Sequence, residues 1–97
     1  MAGPHTIPGD ARFALASGVR VQVDRITGET LVLSPEGLRE LNATAAAIVA
    51  RCDGEATVQA MAETLAREYE TPVGELLPDL LECLQQLEGR KLITRVP

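Results

Sequence analysis

Cys52, Cys83, His5 and a series of carboxylates are the side chains here that chemistry would draw on, and their spacing argues against catalysis. A nucleophile needs a base beside it. The single His5 stands in Met1–Asp10, a segment with two prolines, two glycines and no apolar period. The cysteines are far apart and form no CxxC, which disfavours a redox pair or a zinc site. No glycine-rich phosphate loop occurs. Glu63, Glu68, Glu70, Glu75, Asp79 and Glu82 fall mostly on the polar faces of helical patterns and read as a solvated surface. Paired catalytic carboxylates would need burial and unlike environments. The expectation is a non-enzyme with no metal and no cofactor, a chain that holds a partner and does not transform it.

Composition narrows the partner. The 97 residues make one domain, 45% hydrophobic but only 2% aromatic, with Phe13 and Tyr69 alone and no Trp. So few stacking platforms, together with a net charge of −5, disfavour nucleic acid. No segment has the form of a secretory signal or reaches the ~20 apolar residues of a membrane span. The chain reads as cytoplasmic, with both thiols reduced and buried as small apolar groups.

The elements follow from periodicity. Residues 1–12 are expected as a flexible arm and residues 13–97 as the domain. Val19, Val21 and Val23 alternate with Arg20, Gln22 and Asp24, a half-buried strand. A turn at Thr27-Gly28 leads to a second strand, Thr30–Leu33, and Ser34-Pro35-Glu36-Gly37 fits a type I turn. Gly37–Leu41 is the third strand of an antiparallel meander, at its edge. A helix capped by Asn42 carries Leu41, Ala45, Ile48, Val49 and Cys52 on one face and is expected to end at Asp53-Gly54. A second begins near Thr57 with Val58, Met61, Ala62, Leu65 and Tyr69 inward. Thr71-Pro72 opens a third, whose stripe of Val73, Leu77, Leu80, Leu81, Leu84 and Leu87 runs to Gly89. Pro78 makes this helix either start near Glu75 or bend. Lys91-Leu92-Ile93 pairs or packs briefly beyond it.

Two surfaces are suited to docking. The edge strand Gly37–Leu41 offers unpaired backbone groups to an extended peptide, unless Arg39 and Glu40 merely shield a short connector. Leu76, Leu77, Leu80, Leu81, Leu84 and Leu87 make the third helix apolar over more than one stripe. Leu77, Leu81 and Leu84 read as core, whereas Leu76 and Leu80 lie to the side, toward a groove or an oligomer contact. Four or five added hydrogen bonds at about 1 kcal/mol each and two buried leucines at about 1.5–3 kcal/mol each, less the cost of association, give micromolar affinity or weaker. Arg39, Arg51 and Arg67 offer complementarity to an acidic peptide.

Leu33-Ser34-Pro35-Glu36-Gly37, Leu41-Asn42-Ala43-Thr44-Ala45 and Cys52-Asp53-Gly54-Glu55-Ala56-Thr57-Val58, in this order, resemble the PqqD family of peptide chaperones in pyrroloquinoline quinone biosynthesis. The resemblance covers about Val19 to Ile93. It implies an α+β fold of winged helix-turn-helix type, a three-stranded antiparallel sheet followed by three helices, of the kind called a RiPP recognition element. Such a domain binds a precursor peptide (PqqA) by strand addition and presents it to a radical SAM enzyme (PqqE). Carried onto this chain, Leu38, Arg39, Glu40 and Leu41 supply the strand edge, and Leu76, Leu77, Leu80, Leu81 and Leu84 the groove. The alternatives are a DNA-binding winged helix, opposed by the negative charge, and a structural module that buries its leucines against its own copy. Monomer and homodimer both stay open.

Overall fold

The computed structural model describes residues 7–96. Among the described residues six strands and three helices form an α+β fold: β1 (Arg12–Leu15), β2 (Arg20–Val23), β3 (Thr30–Ser34), β4 (Gly37–Leu41), α1 (Ala43–Val49), β5 (Asp53–Thr57), α2 (Val58–Glu68), α3 (Val73–Gly89) and β6 (Ile93–Val96). The strands make two antiparallel sheets, ordered β2-β3-β4 and β5-β1-β6.

The first sheet is the expected meander. Asp24 closes its β2–β3 loop by accepting the Ile26 and Thr27 N–H groups on one carboxylate oxygen, while Gly28 takes φ +77°. Pro35 and Glu36 make a two-residue connection that sets Ser34 against Gly37. Val32, in the central strand, is fully buried, but Val21, Val23 and Leu38 on the flanking strands are exposed.

The second sheet was not anticipated. Ile7 is buried, and the Gly9 and Ala11 carbonyls accept the N–H groups of Gln59 and Val58. The chain is therefore tied down from Ile7 and enters β1 at Arg12, so the expected arm over residues 1–12 is packed structure from Ile7 onward. Residues 1–6 of that arm, His5 among them, lie outside the described residues. Phe13, completely buried, anchors β1 between β5 and β6.

Local chemistry explains the helix ends. The Asn42 side chain accepts the Ala45 N–H at 2.7 Å, capping α1 as expected. The helix stops at Val49 and does not continue to Asp53-Gly54. Its exit tightens through Arg51 N–H to Ile48 O and Cys52 N–H to Val49 O, which turns Asp53–Thr57 out to pair with β1. Gly54 is then a strand residue at φ +83°, where the β1–β5 register slips. Asp53 accepts the Glu55 and Ala56 N–H groups, and these bonds hold its carboxyl below the ordinary range.

Thr57 caps α2 through the Ala60 N–H, and Val58, Met61, Ala62 and Leu65 form its buried face. Tyr69 falls beyond the last helical residue and stands 47% exposed, outside the core stripe that periodicity assigned to it. Helices α2 and α3 end alike. Glu70 and Lys91 take left-handed φ of 51° and 62°, and the bond pairs Glu70→Arg67, Thr71→Ala66 and Lys91→Glu88, Leu92→Leu87 complete two Schellman motifs. Pro78 neither delays nor divides α3, which is helical from Val73 through Gly89. It lies on the exposed side, where the loss of a donor to the Gly74 carbonyl leaves that group to solvent.

Leu80, Leu84 and Leu87 of α3 seat on α2 and the sheets. Each contributes about 1.5–3 kcal/mol by burial.

Candidate functional site

Among the described residues β4 is one of the two edges of its sheet, β2 being the other. Asp24 N–H bonds Glu29 O across the β2–β3 loop, so strict alternation assigns Leu31 and Leu33 to bonds with β2. Thr30, Val32 and Ser34 then bond β4 at Leu41, Arg39 and Gly37. Leu38 and Glu40 are left with N–H and C=O groups directed away from the sheet. Arg39, expected to offer backbone groups as well, has them engaged with Val32.

That edge borders a hollow of about 300 Å³. Strand β4 and its junction supply Glu40, Leu41 and Asn42, and α1 supplies Thr44 and Ala45. The opposite wall is α3, through Asp79, Glu82, Cys83, Gln86, Leu87 and Arg90. A second hollow of about 340 Å³ adjoins it across Thr44 and Asp79 and is lined by Ile48, Leu65, Tyr69, Leu76 and Leu80. Together they form a furrow along α3.

The residues expected at the site are therefore distributed. Glu40 and Leu41 line the first hollow, whereas Leu38, 61% exposed on the same strand, lines neither. Leu76 lines the second hollow. Leu80 also borders it but is 2% exposed, and Leu84 is fully buried, so both are primarily core. Leu77 and Leu81 are half-buried against the core and line neither hollow. The α3 wall instead uses the polar stripe Asp79, Glu82, Gln86 and Arg90. Its helical spacing was visible in the sequence, but it read as a solvated face.

Electrostatics follow from this lining. Glu29 shares a hydrogen bond with Glu40, and that bond, followed by the Glu40 charge, holds the Glu29 carboxyl above its ordinary range. Burial, then the neighbouring Glu82, raises the Cys83 thiol. Burial first, with smaller effects from Cys83 and Asp53, pushes Cys52 up to about 12. Both thiols are protonated at neutral pH and are poor nucleophiles. Among the described residues no group of three or more His, Cys, Asp or Glu is placed to hold a metal. No helix among them is long and apolar enough to cross a membrane. Arg51 pairs with Glu68 on α2 and borders a separate hollow, so it is unavailable to the furrow.

Comparison with known proteins places this geometry. The family model for coenzyme PQQ synthesis protein D (PqqD) matches residues 29–93. The PqqA binding protein of Rhizobium meliloti (strain 1021) is 33% identical over 87 residues, covering 90% of this chain and 89% of the relative. That of Xanthomonas campestris pv. campestris (strain B100) is 34% identical over 88 residues, covering 91% and 96%. The solution structure of the PqqD truncation of Methylobacterium extorquens PqqCD, described as a functional, stand-alone RiPP recognition element, superposes with a TM-score of 0.77 at 28% identity, covering 95% of this chain and 98% of that one. The crystal structure of PqqD from Xanthomonas campestris gives 0.54 at 30% identity, covering 95% and 97%.

Proposed function

This chain belongs to the PqqD family, and from that premise we propose that it is a non-catalytic adaptor that binds the precursor peptide PqqA along the free edge of β4. The observation that carries the reading is the outward backbone of Leu38 and Glu40 on a strand whose Glu40 and Leu41 line the α3 furrow. An extended peptide that adds there gains backbone hydrogen bonds from the strand and places alternate side chains against α3. The adaptor holds PqqA for a radical SAM enzyme, PqqE, in the cytoplasm. The chemistry resides in that partner, and the protonated thiols of Cys52 and Cys83 take no part in it.

A calorimetric titration with synthetic PqqA tests the reading. Saturable binding of one peptide per chain is expected, with a dissociation constant on the order of micromolar. A heat of dilution alone, with the protein folded and PqqE absent or present, would refute it. The DNA-binding alternative fits poorly. The acidic residues Asp79 and Glu82 on the exposed wall of α3 repel phosphate.

A further inference from the structure

The furrow is charged unevenly along its length. At the Leu41 end, Glu40 on the strand and Asp79 and Glu82 on α3 line the first hollow. Arg90 lines the other end and, with Lys91, also lines a small depression shared with Ser34, Pro35 and Glu36 at the start of β4. Glu82 and Arg90 are separated by eight helical steps, about 12 Å at 1.5 Å per residue. Two residues four apart on an extended chain are separated by about 13 Å. One strand the length of β4 therefore reaches from the acidic end to the basic end. Residues four apart on it point to the same face, toward α3.

Resting on the strand-addition reading above, we propose that the furrow selects an extended peptide with a Lys or Arg seated among Glu40, Asp79 and Glu82. An Asp or Glu about four residues away sits beside Arg90. This charge pattern fixes both the register and the direction of the added strand, which backbone hydrogen bonds alone leave free to slip by two residues. It also replaces the expectation of an acidic ligand held by Arg39, Arg51 and Arg67. Arg51 is paired with Glu68, and neither Arg39 nor Arg67 lines the furrow.

The test is fluorescence anisotropy with labelled PqqA, against wild-type protein, the double variant Asp79→Asn/Glu82→Gln, and Arg90→Gln. All three positions are exposed, the two carboxylate replacements are isosteric and Arg90→Gln only shortens the side chain, and circular dichroism checks that each variant is folded. The double variant is expected to bind about three- to tenfold more weakly at low salt, and Arg90→Gln about two- to fivefold. Both differences should shrink in about 0.5 M salt, where screening acts over a few ångströms. A PqqA peptide in which every basic side chain is replaced by Gln should no longer distinguish the double variant from wild type. If both variants bind PqqA as wild type does, or the double variant binds more tightly, the charge assignment is wrong while strand addition stands. If wild-type protein fails to bind PqqA at all, the adaptor reading falls and this inference with it.

Discussion

Phe13→Ala lowers the unfolding free energy by about 3–5 kcal/mol, the cost of removing a fully buried aromatic side chain and leaving a cavity. A domain of this size has about 5–15 kcal/mol in total, so the variant is marginal or unfolded at physiological temperature. Phe13 sits at the centre of β1, between β5 and β6, and reaches the same core as Met61, Leu65 and Leu84. Arg95 covers the ring from β6, with its guanidinium 5.8 Å from the centroid. Nothing else in an aromatic-poor core has the volume to fill the space. Urea denaturation followed by circular dichroism measures the effect as a much lower midpoint at an unchanged slope. A loss under about 1 kcal/mol would mean that the second sheet is not part of the cooperative fold.

Leu38→Pro weakens PqqA binding by about tenfold or more and leaves the domain folded. Leu38 directs its N–H away from β3, so proline at this edge removes no ladder bond. It does remove a donor that an added strand would use, and leaves the facing carbonyl of the peptide unpaired. A lost hydrogen bond is worth about 0.5–1.5 kcal/mol, and an unsatisfied partner raises the cost to about 1–3 kcal/mol. Leu38→Val keeps the N–H and an apolar side chain and should bind nearly as wild type. Arg39→Pro is the opposite control. It breaks the Val32–Arg39 pair and costs stability, since that residue faces the sheet. Equal binding by Leu38→Pro and Leu38→Val would remove the strand edge from the account.

What the sequence disclosed divides along physical lines. The meander was legible because Val19, Val21 and Val23 alternate and Pro35 and Gly37 punctuate. Asn42 and Thr57 announced two helices because each supplies a side-chain acceptor at the place a helix lacks one. Strand β5 was illegible. Asp53-Gly54-Glu55-Ala56-Thr57 contains no strong strand former before Thr57, and it is extended only because β1 pairs with it. Strand β1 depends on the same partnership, so in the sequence Phe13 marks only the boundary of an arm. At the site, the strand edge was visible from its position in the meander. The α3 wall was not, because helical periodicity separates apolar from polar faces without revealing what a polar face looks onto. The leucine stripe thus drew attention to Leu80 and Leu84, which the core takes up, and away from Asp79, Glu82 and Arg90.

The most direct measurement is amide hydrogen exchange, read residue by residue by NMR, with and without PqqA. In the free protein Leu38 and Glu40 should exchange rapidly, because their N–H groups face no partner among the described residues, whereas Arg39 and Leu41 should be slower. On saturation with PqqA, Leu38 and Glu40 become protected while Arg39 and Leu41 change little. Protection at every second residue of β4 would identify a strand added at that edge. Bound PqqA that leaves Leu38 and Glu40 exchanging as before would place the peptide elsewhere on the domain and contradict the account.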